Sequence, residues 1–131
     1  MIKIKFRGQQ IETKEWRYGY LSKRSEYNTI REQELKDSAY HTYDVFHDTV
    51  SQYTGRNDKN GKEIYVGDIM GKGPLTCIVK QREDGAYILQ FLDPIMKGID
   101  ISILDPKVAN SEITGNIHEF PELLTKLKTE S

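Results

Sequence analysis

The sequence predicts a mostly β (α+β) protein: an N-terminal β-strand pair with a short helix, then a small C-terminal β-barrel capped by a short helix. Apolar and basic residues alternate with a period of two over residues 1–7, which is typical of a half-buried strand. From residue 64 onward, five short runs rich in β-branched and aromatic residues are separated by glycine and proline, as in small barrels. Leucines at helical spacing after Pro121 indicate the capping helix.

The amino-acid composition argues against several classes of protein. The chain has 131 residues, of which 37% are hydrophobic, and a net charge of −1, which predicts one folded domain or two small subdomains rather than a disordered chain. Its apolar runs are far shorter than the roughly 20 residues of a membrane helix. The N-terminus lacks the continuous apolar stretch of a secretory signal. A single cysteine, Cys77, excludes an internal disulfide and a multi-cysteine metal site, so we expect a cytoplasmic protein.

The first two strands carry the clearest alternation. The apolar face of the first strand consists of Ile2, Ile4 and Phe6. A second alternating run, residues 16–21, sets Trp16, Tyr18 and Tyr20 on one face, and we expect these rings to pack on that apolar face in an antiparallel pair. Gly19 leaves room on the outer face for a neighbouring backbone or a bend. The predicted outer face also carries the basic residues Lys3, Lys5, Arg7 and Arg17.

The middle of the chain gives weaker signals. Thr29 and Glu32 match a capping box, which predicts a short, weakly docked helix near residues 29–38. Residues 44–54 are rich in β-branched and aromatic residues and are predicted to form one strand. The polar loop that follows, with an Asn60-Gly61 turn, marks the predicted boundary between subdomains 1–55 and 56–131.

The C-terminal subdomain is predicted strand by strand. The five strands cover 64–70, 76–82, 87–92, 99–104 and 112–119, and the helix covers 121–128. Asp84-Gly85 is a two-residue hairpin signal, and a loop of that length pairs Lys80 with Leu89. Both faces of this hairpin are partly apolar, which predicts a curved sheet buried on different sides along its length.

Several groups of potentially reactive residues resemble known sites but lack the spacing or the residue types that those sites need. Four potential metal ligands are close in sequence but not gathered by any regular conformation: His41, Asp44, His47 and Asp48. A calcium loop over 57–61 would need acidic residues at Arg56 and Gly67. Residues 67–73 have three residues between their glycines where a P-loop needs four. Cys77 lies within a predicted strand and is interpreted as a buried small apolar residue. We therefore predict no catalytic residue, metal site or cofactor.

Residues 1–24 carry seven basic and two acidic side chains, a local net charge of +5. Small barrels bind single-stranded nucleic acid by stacking bases on aromatic rings beside a basic groove. The predicted alternation separates the aromatic rings from the basic residues, which argues against such a surface. Nucleic-acid contact through Lys3, Lys5, Arg7 and Arg17 is kept as the alternative hypothesis.

Two longer motifs stand out in the chain. The first is Gln52-Tyr53-Thr54-Gly55, then Asp58 to Tyr65, then Gly67-Asp68-Ile69. The second is Gly115-Asn116-Ile117 with Glu119, then Pro121-Glu122-Leu123-Leu124. Together with the opening Lys5-Phe6-Arg7, Trp16 and Tyr18-Gly19, they resemble the YopX family of phage and prophage proteins. The chain departs from the family pattern at Arg56, Asn57, Val66, His118 and Phe120.

The resemblance implies a cytoplasmic, phage-type accessory protein whose C-terminal subdomain is an SH3-like barrel. It implies no substrate, cofactor or catalytic residue. The shared motif residues are interpreted as structural: Tyr53, Thr54, Gly55, Asn60, Gly61, Tyr65, Gly67, Asp68, Gly115, Asn116 and Pro121.

Three functional hypotheses follow. The first is a non-enzymatic protein-interaction module that forms a homo-oligomer and binds a protein partner. The second is a nucleic-acid-binding accessory protein that uses the basic N-terminal strand. The third is an enzyme whose dispersed site no local motif reveals.

Overall fold

The computed structural model describes residues 4–24, 27–33, 40–96 and 99–119 of the chain. Eleven strands lie in these described residues: β1 (Phe6–Gln9), β2 (Trp16–Arg24), β3 (Tyr27–Gln33), β4 (Tyr40–Val45), β5 (Ser51–Asn57), β6 (Glu63–Tyr65), β7 (Asp68–Met70), β8 (Cys77–Gln81), β9 (Tyr87–Phe91), β10 (Asp100–Ser102) and β11 (Ile113–Asn116). Four short 3₁₀ turns accompany them: His47–Thr49, Gly73–Leu75, Pro94–Met96 and Pro106–Asn110. The prediction of a mostly β protein is confirmed.

The strands form two antiparallel sheets, ordered β4-β3-β2-β1-β5-β6 and β10-β9-β8-β7-β11. The chain divides into two compact units, residues 1–53 and 54–131, and β5 crosses from the first to the second. None of the described segments forms a helix with the length and apolar content that crossing a bilayer requires.

The antiparallel pairing of β1 with β2 is confirmed, but the predicted faces are wrong. Arg7 lies opposite Tyr18 and Phe6 lies opposite Gly19. Residues directly opposite in a ladder share a face of the sheet, so Tyr18 lies on the side of Arg7 and not on that of Phe6. Exposure agrees with this register, since Ile4 is 61% exposed whereas Arg7 is only 5% exposed.

The core of the first unit lies on the other face of the sheet. Ile30 in β3 and Val45 in β4 are almost completely buried. Gly8 is buried against Val45, and a Cβ on Gly8 would lie 2.8 Å from Val45 Cγ2. Apolar side chains of β3 and β4 therefore supply the core that the sequence analysis assigned to the aromatic residues of β2.

The helix predicted near 29–38 is wrong over its first half. Residues 27–33 form β3, which pairs with β2 on one side and with β4 on the other. The β-branched residues Thr29 and Ile30 are buried there, so tertiary pairing outweighs the local capping-box preference. Residues 34–38 lie outside the described residues.

The single strand predicted over 44–54 is also wrong. Phe46 leaves the ladder, the 3₁₀ turn His47–Thr49 follows, and β5 begins only at Ser51. At this break the chain meets the end of β1, because the Phe46 N–H donates to the Gln9 carbonyl at 2.9 Å and Gln10 bridges Val45. The predicted strand is thus interrupted after β4, where the backbone of Val45 and Phe46 pairs with the end of β1.

In the second unit, β7, β8 and β9 form a meander, β10 follows β9, and β11 returns to lie beside β7. The strand predicted over 64–70 is broken by a turn at residues 66–67 into β6 and β7. The main core cluster comprises Ile64, Met70, Cys77, Val79, Leu89, Phe91, Ile103 and Val108. A smaller cluster consists of Ile69, Ile78 and Leu92. Both faces of the hairpin are therefore partly buried, as predicted.

No closed barrel is found among the described residues, and the sheet ends at β10 and β11. The register predicted for the Asp84-Gly85 hairpin is wrong by one residue, since Lys80 pairs with Ile88 and not with Leu89. The Arg82 N–H donates to the Ala86 carbonyl at 2.8 Å, which makes a three-residue loop with Gly85 at a φ of +91°. The capping helix predicted over 121–128 lies outside the described residues.

Candidate functional site

A group of aromatic and basic side chains shares one face of the first sheet. The aromatic–basic face, as we name it, consists of Lys5, Arg7, Trp16, Tyr18 and Tyr20. The Arg7 guanidinium carbon lies 4.9 Å from the centroid of the Trp16 ring, and the Lys5 ammonium lies 5.9 Å from that of Tyr18. Both distances are within the range of a cation–π attraction. The two cations that the sequence analysis separated from the rings are therefore in contact with them.

Burial differs sharply across this face. Arg7 is buried, and its Nε donates to Ser51 Oγ of β5 at 3.1 Å. Tyr18 is 37% exposed and Tyr20 is 62% exposed. The exposed part of this face is thus provided largely by Tyr18 and Tyr20, whereas the Arg7 side chain is buried.

Gly19 fixes the path of the strand that carries the aromatic rings. A Cβ at this position would clash with the Arg31 carbonyl oxygen of β3. Close beside it, the Tyr18 N–H donates to Glu32 Oε1 at 2.8 Å. The prediction that Gly19 makes room for a neighbouring backbone is confirmed.

The four residues predicted to contact nucleic acid are not gathered on one surface. Arg17 lies on the opposite face, with its guanidinium carbon 3.9 Å from the Tyr43 ring centroid. Its Nε donates to Gln10 Oε1 at 2.9 Å and its Nη2 to Glu15 Oε2 at 3.1 Å. Lys5 and Arg7 are on the aromatic–basic face, and Lys3 lies outside the described residues.

Asp58, in the first family motif, is a buried acceptor that sequence reasoning assigned no role. Its Oδ1 accepts hydrogen bonds from the N–H groups of Asn60 and Lys62, both at 2.9 Å, and its Oδ2 accepts from the Ile113 N–H at 3.1 Å. Burial alone would raise the pKa of this carboxyl, but the three N–H donors and the nearby Lys62 charge outweigh it and lower the pKa. Asp58 therefore joins the loop after β5 to the start of β11.

That loop holds the predicted Asn60-Gly61 turn. Gly61 has a φ of +79°, a conformation that favours glycine, and its N–H donates to the Asp58 carbonyl at 3.0 Å. The Asn60 side chain donates to Glu112 Oε1 at 3.4 Å, and the Lys59 ammonium lies 3.7 Å from Glu112 Oε2. The sequence signal that could have identified Asp58 is the Asx turn, in which an aspartate accepts from N–H groups shortly after it.

Other residues of the two motifs also form hydrogen bonds with backbone groups. Asp68 Oδ2 accepts from the Tyr65 N–H at 2.8 Å across a turn in which Gly67 has a φ of +94°. The Gly67 carbonyl accepts from the Ile117 N–H at 2.9 Å. Elsewhere, Thr54 Oγ1 donates to the Ile64 carbonyl at 2.8 Å.

Asn116, at the end of β11, accepts through Oδ1 from the N–H groups of His118 and Glu119, both at 3.0 Å. Gly115 lies opposite Ile69 beside a register shift in the ladder. Gly55 has a φ of +89°, and the Tyr53 N–H donates to the Lys5 carbonyl at 2.8 Å. Pro121 lies outside the described residues.

A groove of about 520 Å³ lies in the second unit. Its lining is largely apolar and comprises Leu75, Cys77, Leu89, Phe91, Met96, Ile99, Ile101, Lys107, Val108 and Ser111. The Cys77 thiol is buried and lies 3.2 Å from the Leu75 carbonyl, and burial raises its pKa to about 11. Cys77 is thus buried, as predicted, and its thiol is protonated at neutral pH.

The described part of the chain holds no group of three or more His, Cys, Asp or Glu side chains that could bind a metal ion. His47, one of the candidate ligands, has its Nδ1 2.7 Å from Asn28 Nδ2.

Comparison with known proteins identifies a matching family. The protein-family model described as YopX protein matches residues 5–125 of the chain. A search of the curated proteins finds no match.

Proposed function

The chain belongs to the YopX family, and on that premise we propose that it is a phage-type accessory protein that acts by binding protein and not by catalysis. The observation that carries this proposal is the register of β1 against β2, which sets Tyr18 and Arg7 on one face of the sheet. That register leaves the rings of Tyr18 and Tyr20 exposed on β2, beside the buried Arg7 of β1.

The composition of the aromatic–basic face supports a protein partner. Tryptophan, tyrosine and arginine are the residue types that contribute most often to protein–protein binding energy. A tyrosine has only two side-chain torsions to fix, so its ordering costs little entropy. The buried thiol of Cys77, protonated at neutral pH, supports a non-enzymatic role for the chain's single cysteine.

We propose a second copy of the chain as the first partner. A chain of this length buries only about two-thirds of the surface that it exposes when unfolded, so it gains by burying more against a copy. Stacked tyrosines from two copies, with Lys5 over a ring, would make the face self-complementary, as two-fold dimers require. Size-exclusion chromatography with light scattering tests this proposal. We expect a species heavier than 15.2 kDa whose share grows with concentration, and a 15.2 kDa species at every concentration would reject self-association.

Two further features are part of this proposal. We propose an SH3-like relationship for the second unit, because β11 returns to the first strand of its sheet after the 3₁₀ turn Pro106–Asn110. Such a return is what closing a small barrel needs. We also propose a cytoplasmic location, which family membership supports.

Nucleic-acid binding remains the second candidate. Exposed Tyr18 and Tyr20 beside Lys5 favour it, since aromatic rings on one strand are a platform for stacked bases. Against it, Arg7 is buried and Arg17 lies on the opposite face, so two of the four predicted cations do not reach one phosphate backbone. Phosphate contacts dominate nucleic-acid affinity, and we therefore rank a protein partner first.

A further inference from the structure

The groove of the second unit combines apolar side chains with the positive charge of Lys107. Its lining includes Leu89 and Phe91 of β9 and Val108 of the 3₁₀ turn Pro106–Asn110, which belong to one core cluster. Its volume of about 520 Å³ is typical of sites that enclose a small organic molecule. Leu75 and Ile99, at the rim, are 61% and 49% exposed, so apolar surface continues outward from the groove.

Among the described residues of the lining, Lys107 is the only ionisable side chain besides the buried Cys77 thiol, and none of them is a carboxylate. The backbone of Lys107 is held twice: its N–H donates to Asp105 Oδ1 at 2.9 Å, and its carbonyl accepts from Ser111 Oγ at 3.1 Å. No ion pair involves its ammonium within the part of the chain that the structure describes. A fixed backbone with an uncompensated charge favours an anion at this end of the groove.

We propose that this groove binds a small apolar carboxylate, with the apolar chain against Leu89, Phe91 and Ile101 and the carboxylate at the Lys107 ammonium. The charge favours an anionic ligand, because an anion gains an attraction to the exposed Lys107 ammonium that a neutral apolar molecule does not. Apolar burial supplies most of the affinity, and the ion pair orients the ligand. This binding activity lies outside the aromatic–basic face and does not depend on the proposed interaction with protein.

Two dyes of matched shape test the proposal. The anionic dye 1-anilinonaphthalene-8-sulfonate and its uncharged parent N-phenyl-1-naphthylamine differ only in the sulfonate group. We expect the anionic dye to bind the wild-type protein, and Lys107→Gln to weaken its binding by about fivefold, the upper range for an exposed ion pair. The uncharged dye should bind both proteins equally. The control Lys72→Gln removes an exposed lysine that does not line the groove, and it should change neither dye.

A second readout reports the place of binding. The methyl groups of Leu75, Met96 and Ile99 line the groove, so their ¹H–¹³C NMR shifts report its occupancy. We expect octanoate to displace the anionic dye and to shift these methyl resonances, and octanol at the same concentration to do so several-fold less well. Equal effects of octanoate and octanol, or equal binding of the anionic dye to wild type and Lys107→Gln, would overturn the proposal. Dye binding without a shift of these resonances would also overturn it, because the site would then lie elsewhere.

Discussion

Arg7 lies directly opposite Tyr18 in the ladder between β1 and β2, and its guanidinium is stacked over the neighbouring Trp16 ring at 4.9 Å. This pairing determines which side chains are exposed on that face of the first sheet. The arginine is buried in contacts within the protein, and the rings of Tyr18 and Tyr20 on the same face are exposed. A basic strand in the sequence thus becomes an aromatic surface in the fold.

Replacing Arg7 should destabilise the first unit. Arg7→Ala removes the hydrogen bond to Ser51 and the packing over Trp16, and we expect a loss of about 1–3 kcal/mol in the free energy of unfolding. Urea denaturation followed by Trp fluorescence measures it. Arg82→Ala, at an exposed arginine, is the control and should change stability by less than about 0.5 kcal/mol. Equal stability of the two variants would refute the structural role of Arg7.

Gly19 and Gly85 are each required for a different reason, one steric and one conformational. At Gly19 an added Cβ meets the Arg31 carbonyl oxygen, whereas at Gly85 it meets nothing within 4 Å and only the φ of +91° opposes it. We expect Gly19→Ala to cost more than about 2 kcal/mol and Gly85→Ala about 1 kcal/mol. Thermal unfolding of both variants decides it, and a Gly19→Ala protein as stable as wild type would show that β2 and β3 do not approach as described.

The hydrogen bonds of Asp58 should make stability depend on pH. Its pKa in the folded protein is lowered from 3.8, so the charged carboxyl stabilises the fold above that value, and the contribution is lost as pH falls through the folded-state pKa. Asp58→Asn replaces an acceptor with an amide that donates, which leaves an N–H group such as that of Ile113 without its bond. We expect a cost of about 1–3 kcal/mol at neutral pH.

Unfolding free energies from neutral pH down to about pH 3 test this linkage. The difference between wild type and Asp58→Asn should shrink as the wild-type carboxyl becomes protonated. Asp48→Asn, at an exposed carboxyl on the 3₁₀ turn His47–Thr49, is the control. A difference that stays constant over the whole range would contradict the assignment.

Nucleic-acid binding should be weak. Fluorescence anisotropy with labelled single- and double-stranded DNA and RNA at physiological salt should detect no sub-micromolar complex, because Arg7 is buried and Arg17 lies on the opposite face of the sheet. Tight, salt-dependent binding that is lost when Lys3, Lys5, Arg7 and Arg17 are changed to Glu would reverse the ranking of the two functions. Stability of that variant is checked first, since Arg7 is buried.

The sequence predicts strands better than it predicts their partners. Alternation identified β1 and β2, but both faces of each strand were chemically plausible, and a slip of one residue in register exchanges them. The capping box at Thr29 and Glu32 is a local preference, whereas β3 is set by ladders on both sides with β2 and β4. Local signals do not carry that information.

Turn residues likewise predicted where the chain turns but not which residues pair across the turn. Asp84-Gly85 fits a two-residue or a three-residue loop, and both hold a glycine at positive φ, so the hairpin was predictable and its register was not. The bonds from Asp58 to Asn60 and Lys62 follow from a local Asx turn. Its bond to Ile113, 55 residues away, depends on the fold.

The role of the aromatic–basic face in self-association is tested most directly by Tyr20→Ser, which removes its most exposed ring. Sedimentation equilibrium of wild type, Tyr20→Ser and the control Leu104→Ser, which removes an exposed apolar residue of the second unit, gives three dissociation constants. We expect Tyr20→Ser to raise the dissociation constant at least tenfold, as loss of about 1.4 kcal/mol at a central aromatic contact would. Leu104→Ser should leave it unchanged. Association of Tyr20→Ser as tight as that of wild type would contradict the proposed interface.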